Sequence, residues 1–324
     1  MAPPGALAAK RSVLVPPLGT KTDQFRQAAQ LSAAEPRSYP APPRAVIRGR
    51  DDFPRLGYLN RAMPDVELKP QVYRDPRPKE YFDQFHARAR AGDAGWTYEL
   101  TRLVVVPYSL LAFRARGIGT ENVPNGPVIL APNHGSFMDH FFAGSFIRRR
   151  VRFMAKSQLF GPGPATYIFS HGGVFPVRRG AHDEEAFTTA FKLLDRGDLV
   201  VMYPEGGRSR TGEIAEQAKP GIGRLALESG APVVPVAILG SHQVRNWKRL
   251  QFPKVTVQFG TPFKFDVVPD STREQQQEAA DYILERIREL YAGLKLLGHR
   301  GSLMAARDRR KHERRRRRDP EPAA

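Results

Sequence analysis

Residues 127–140 read Pro127-Val-Ile-Leu-Ala-Pro-Asn-His-Gly-Ser-Phe-Met-Asp-His140, a short apolar run that breaks into a polar turn. The run is β-branched, too short for a buried helix and bounded by proline and asparagine, which marks a strand buried on both faces. Five later stretches have the same character: Val151–Lys156, Gly173–Val177, Asp198–Pro204, Pro232–Leu239 and Val255–Gly260. Between them the chain changes period. Asp183–Gly197 brings Ala186, Phe187, Ala190, Phe191 and Leu194 onto one helical face and stops at a glycine, and Lys219–Gly230 is a shorter helix. A last helix starts near Ser271 or Thr272, turns Ala280, Ile283, Leu284, Ile287, Leu290, Leu294 and Leu297 inward, and ends at Gly298. Strands alternating with helices predict an α/β domain with a mainly parallel sheet flanked by helices.

Outside that unit the composition shifts. Residues 1–93 are rich in Pro, Arg, Asp and Ala without a sustained period and read as a largely disordered extension, with one short helix near Tyr81–Ala91. Residues 94–299 form the expected domain, and 300–324 a polybasic disordered tail. The whole chain of 324 residues carries 51 Lys and Arg against 33 Asp and Glu, a net charge of +18, and removing the tail still leaves +12. A body this basic implies an anionic partner. For the tail, three readings stand: a solvated segment, attachment to anionic lipid, or nucleic-acid binding. The nucleic-acid reading is disfavoured because the basic run lacks interleaved aromatics.

The chain has no cysteine, which excludes thiolate nucleophiles, disulfides and cysteine-ligated zinc. The N-terminal segment breaks its apolar stretches with prolines and charges and does not read as a signal peptide. The longest apolar run, Leu103–Phe113, is well short of the roughly 20 residues a spanning helix needs. It reads either as an interfacial element or as a core helix beneath the sheet.

Ligands in α/β sheets gather beyond the carboxyl ends of strands, and three polar clusters fall there. His134 and Asp139 follow the first run, Arg178 and Arg179 follow Gly173–Val177, and Glu205, Gly206, Arg208 and Ser209 follow Asp198–Pro204. Five residues apart on a straight helix, His134 and Asp139 would point about 140° apart. They meet only if His134 lies in the strand-to-helix turn and the aspartate folds back. A carboxylate on one ring nitrogen then fixes the tautomer and leaves the other to take a proton from a hydroxyl. A polar turn and a metal site remain the alternatives. Metal is the weaker one, since Ser136 stands where a second histidine would be expected and His140 is expected to point away from His134. The Gly-rich Tyr203–Gly212 turn lacks a Gly-Lys-Ser/Thr ending, so it is no P-loop, but its arginines suit a phosphate.

Taken together, Asn133–Asp139, Gly172–Gly180, Tyr203–Ser209 and Ala231–Ile238 occur in an order and spacing that resembles the glycerolipid acyltransferase family, typified by 1-acylglycerol-3-phosphate acyltransferases. The resemblance covers roughly Leu103–Leu297 and extends to Lys156 and Lys219. It implies a glycerol-phosphate acyltransferase-like fold. His134 would be the general base and Asp139 its orienting carboxylate. Arg179, Glu205, Gly206, Arg208 and Ser209 would hold the acceptor's phosphate and glycerol, and Pro235 would be structural. The acyl donor would be acyl-CoA or acyl-carrier protein, the acceptor a lysophospholipid, and neither a metal nor another cofactor would be needed. The enzyme would sit on an anionic membrane at its cytoplasmic face, peripheral or partly inserted. Two departures, Gly207 where the family commonly has threonine and Val177-Arg178 where it often has isoleucine-aspartate, leave the acceptor open.

Overall fold

The computed structural model describes residues 75–92, 95–179, 183–209, 211–244 and 252–318. Seven strands form one sheet: β1 (Arg116–Ile118), β2 (Val128–Pro132), β3 (Val151–Lys156), β4 (Val174–Val177), β5 (Leu199–Val201), β6 (Val233–Leu239) and β7 (Thr256–Phe259). Their order across the sheet is β1-β7-β6-β2-β5-β3-β4. Neighbours run parallel except β6 and β7, so the β1–β7 pair is reversed against the other five. The six apolar runs are β2 to β7. β1 escaped the pattern because three residues, one of them buried, are too few to show alternation.

Among the described residues seven α-helices accompany the sheet: α1 (Glu80–Ala91), α2 (Trp96–Ala112), α3 (Asp139–Ser145), α4 (Pro164–His171), α5 (Glu184–Asp195), α6 (Gly221–Ser229) and α7 (Arg273–Arg318). On one face of the sheet Ala190, Leu193 and Leu194 of α5, Ile222 and Leu225 of α6, and Ile283 and Ile287 of α7 close the core over Ile129, Ala131 and Val233. On the other face Phe113, with Phe142 and Ala143 of α3, covers Leu130, Val201 and Val236. This makes three layers, helix, sheet and helix.

The expected start of the last helix holds in detail. Gln275 N–H donates to Thr272 Oγ1 at 3.3 Å and Thr272 N–H to Gln275 Oε1 at 2.9 Å, a reciprocal box that satisfies two end donors. α6 and α7 touch at Gly223, where any Cβ would lie 1.8 Å from the Gln276 carbonyl oxygen. Only glycine permits that approach.

Two expected boundaries move. α1, assigned to the extension, packs into the body: Phe82 and Phe85 are buried with Phe160, and Arg77 donates to the carbonyls of Ser157 and Phe160. The packed unit therefore reaches back at least to Asp75 rather than starting at Ala94. At the other end, Gly298 breaks the helix as expected (φ 62°, ψ 178°), but the tail expected to be disordered resumes as helix to Arg318. His299 Nδ1 lies 2.8 Å from Thr256 Oγ1 of β7, and Arg310 pairs with Glu121 at 3.2 Å, which tie the second segment to the body. The rest of the extension, residues 1–74, lies outside the described residues.

Candidate active site

β2 ends at Pro132, and Asn133 continues its pairing with a side chain. Ile238 N–H of β6 donates to Asn133 Oδ1 at 2.6 Å, and Asn133 Nδ2 donates to the Ile238 carbonyl at 3.2 Å. The turn that follows starts from a fixed point. His134 is then held at both backbone atoms: its N–H donates to Glu205 Oε1 at 2.6 Å, and its carbonyl accepts from Ser209 N–H at 2.7 Å.

Asp139 opens α3 and folds back over the turn. Its Oδ2 accepts from Gly135 N–H at 2.8 Å, from Ser136 N–H at 2.7 Å and from His134 Nδ1 at 3.0 Å. A carboxylate only accepts, so Nδ1 carries the proton and Nε2 is the acceptor. His134 is 4% exposed and Asp139 0%. Burial pushes the imidazole below its usual pKa of 6.5 against the pull of Asp139, with Arg179 and Arg208 lowering it further. The ring is neutral at neutral pH, the state a base requires.

Tyr203, just past β5, stacks on the imidazole with centroids 4.0 Å apart and planes at 25°. His140, expected to point away, instead meets the His134 ring edge-on at 5.3 Å, because it lies in the first turn of α3, directly after the short turn that carries His134. Its Nδ1 donates to the Phe137 carbonyl at 3.0 Å, and burial beside His134 pushes its pKa down to about 4. With both Nδ1 atoms committed, the two rings do not chelate through them. Among the described residues no three His, Cys, Asp or Glu side chains converge as a metal site.

The other expected site residues divide into two groups. Arg179 and Arg208 line a cavity of about 360 Å³ together with His134 and Lys156. Arg178 is turned away, its N–H and guanidinium directed to Asp183. Glu205 and Ser209 brace the site from behind. The Glu205 oxygens accept from His134 and, at 3.3 Å, from Ala215 N–H, while Ser209 Oγ accepts from Gly212 N–H at 3.0 Å. Burial raises Glu205 to a pKa of about 7, although the two N–H donors pull the other way. Gly206 takes φ 63° in this turn, and a Cβ there would meet the Lys219 side chain at 2.7 Å.

Away from its charged mouth the cavity is apolar, walled by Val105 and Val106 of α2, Phe141, Phe153, Ile168 and Phe169. A volume near 360 Å³ is within the range of ligand pockets. α2 thus serves the site with one face. Its other face is turned out, with Leu100, Leu103, Val104 and Leu111 exposed while Thr97 and Ser109 are buried. Asn133 and Tyr203 stand in motifs the sequence singles out, but their parts as brace and stacking ring, like that of α2 as a cavity wall, are not legible there because each depends on contacts between distant segments.

Residues 114–239, which include β1 to β6 and every expected site residue, match the model of the Acyltransferase family. That stretch is similar to the acyltransferase domain. The chain is 28% identical over 130 residues to the chloroplastic 1-acyl-sn-glycerol-3-phosphate acyltransferase BAT2 of Brassica napus, covering 39% of this chain and 37% of that one. It is 29% identical over 138 residues to 1-acyl-sn-glycerol-3-phosphate acyltransferase beta of Homo sapiens, 40% and 48% of the two chains. It is 26% identical over 173 residues to the 1-acyl-sn-glycerol-3-phosphate acyltransferase of Bacillus subtilis, 52% and 84%. The chain spans about a third to a half of the length of the first curated relatives it matches. A solved acyltransferase from Thermotoga maritima aligns at 22% identity with a TM-score of 0.46, over 66% of this chain and 89% of that one. α2 and α7 lie outside the matched residues, yet α2 walls the cavity.

Proposed function

We propose that the protein is a membrane-associated O-acyltransferase that moves a fatty acyl group from acyl-CoA or acyl-carrier protein to a lysophospholipid such as 1-acylglycerol-3-phosphate, giving phosphatidic acid. The observation that carries this reading is the position of His134, paired with Asp139, at the mouth of an apolar cavity bordered by Arg179 and Arg208. His134 Nε2 takes the proton of the acceptor hydroxyl as its oxygen attacks the thioester carbonyl. The tetrahedral adduct collapses, the carbon–sulfur bond breaks, and the thiolate takes the proton back from the imidazolium. No acyl-enzyme and no metal enters the sequence. Arg179 and Arg208 hold the acceptor's phosphate, for which guanidinium geometry is suited. The apolar part of the cavity takes an acyl chain. The names of the relatives support 1-acylglycerol-3-phosphate as the acceptor.

Membrane attachment rests on α2. No helix among the described residues is long and apolar enough to cross a membrane. A row of three exposed leucines and Val104 on one helix, beside exposed Arg114 and Arg116, suits a helix lying in the plane of an anionic interface. The basic charge favours the cytoplasmic leaflet, where anionic lipid is concentrated.

The test is incubation of the purified chain with mixed lysolipids and acyl-CoA or acyl-carrier protein, with products identified by mass spectrometry. The expected product is phosphatidic acid formed by the wild type and not by His134→Ala. Equal product from both proteins removes His134 as the base; acylation of a different lysolipid changes the acceptor.

A further inference from the structure

Tyr203 has no part in the steps above, yet its ring lies closer to the His134 imidazole than any other aromatic ring described. It is 8% exposed, nearly parallel to the imidazole at 4.0 Å, and His140 packs edge-on against both rings, at 5.3 Å from His134 and 5.0 Å from Tyr203. Its hydroxyl is buried without a hydrogen-bond partner among the described residues. A buried tyrosine whose hydroxyl bonds to nothing contributes through its ring. Burial and the charge of Asp139 hold the phenol well above its usual pKa, so the ring stays neutral and presents only its π face.

We propose that Tyr203 is a positioning residue for acyl transfer, whose ring face keeps the imidazole in the plane set by Asp139 and stabilises the imidazolium formed when His134 takes the acceptor's proton. The inference rests on the reading of His134 as the base. In that step the acceptor's O–H bond breaks, an Nε2–H bond forms, and positive charge appears on a ring lying against the electron-rich face of another. Several groups face His134. Asp139 favours the charged ring, whereas Arg179 and Arg208 disfavour it, as does burial. Glu205 is bonded to the His134 N–H, and His140 is neutral in the working range. An aromatic face adds stabilisation to the charged state without the solvation cost of a second buried carboxylate.

The experiment compares Tyr203→Phe, Tyr203→Leu and Tyr203→Met. The imidazole of His134 is titrated by NMR in histidine-labelled protein, with its signal assigned by its loss in His134→Ala, and the pH–rate profile is recorded beside it. Phenylalanine keeps the face and is expected to match the wild type in both. Leucine and methionine keep apolar volume without a face; each is expected to lower the His134 midpoint, move the acid limb of the rate profile to lower pH, and reduce kcat roughly 2- to 30-fold with KM little changed. If both aliphatic variants fold and titrate at the wild-type midpoint, the proposal is overturned. It is also overturned if Tyr203→Phe is as impaired as Tyr203→Leu, which would put the role in the hydroxyl. The titration needs no turnover, so a protein that transfers no acyl group yet shows the shift sinks the proposed activity and leaves the ring contact standing.

Discussion

Two regions depart from ordinary burial in opposite directions. Beyond β2 and β5 the interior holds Asn133, His134, Asp139 and Glu205, all polar or charged. On the outer side of α2, Leu103 is 70% exposed and Leu111 79%, while Thr97 and Ser109 of the same helix are inside. The polar interior is largely compensated from within the chain, since backbone N–H groups and facing side chains meet these carboxylates and amides, with Asp139 Oδ1 alone of these carboxylate oxygens left without a partner among the described residues. Nothing within the described chain covers the leucines. A buried polar cluster with partners inside is a device for placing atoms, whereas an apolar face without them is a device for meeting something else.

The contrast can be broken from either side. The largest effect is expected at the reacting atom: His134→Ala should lower kcat by about 10² to 10⁴ while the unfolding transition is unchanged, measured as phosphatidic acid formed per unit time. A comparable loss of stability would mean that the imidazole holds the fold together. Next comes the frame. Asn133→Ala strands the N–H and carbonyl of Ile238 in the interior and should cost about 3 kcal/mol in urea unfolding. A cost near zero would show that the turn needs no such anchor.

On the outward side, Leu103→Asp combined with Leu111→Asp should leave stability within about 1 kcal/mol and weaken sedimentation with anionic vesicles roughly 30-fold or more. If the pair unfolds the protein, α2 is a core helix after all. The smallest effect is a slope. Glu205 titrates near 7 folded against 4.5 as its ordinary value, so the folded state holds its proton longer and stability falls as pH rises between those values. The loss is about 1 kcal/mol per pH unit near the middle of that window. His134 and His140, whose folded values are lowered, contribute in the opposite sense. The difference in urea midpoint between wild type and Glu205→Gln, followed from pH 5 to 7, isolates Glu205. A difference independent of pH would mean that the carboxyl does not titrate there.

What the sequence disclosed follows the same division. β2 to β7 were legible because strands buried on both faces must be apolar throughout, and α5 because its apolar face meets the sheet. The residues of the His134–Asp139 pair could be named, and so could the need for the aspartate to fold back. Its three bonds through one oxygen could not, since two come from backbone amides oriented only by the turn. Glu205 reads as a substrate group from its neighbours Gly206 and Arg208, yet its oxygens are engaged by backbone 71 residues earlier and 10 residues later. For α2 the stripe of leucine and valine was plain, but an apolar stripe does not say whether its partner is the same chain. The tail read as disordered because charge density argues against a core, while His299 and Arg310 supply ties to distant residues that composition does not reveal.

The bond pair from Asn133 to Ile238 joins residues 105 apart in the chain. During synthesis, every residue that contacts the acceptor in the proposed reaction leaves the ribosome before β6 does. A chain that stopped short of residue 238 would possess the base, its carboxylate and both arginines, and would lack the rung that sets their height above the sheet. The site is therefore among the last parts of the domain to become correct. A premature end, or a slow pairing of β6, would yield a body with its chemistry misplaced rather than missing.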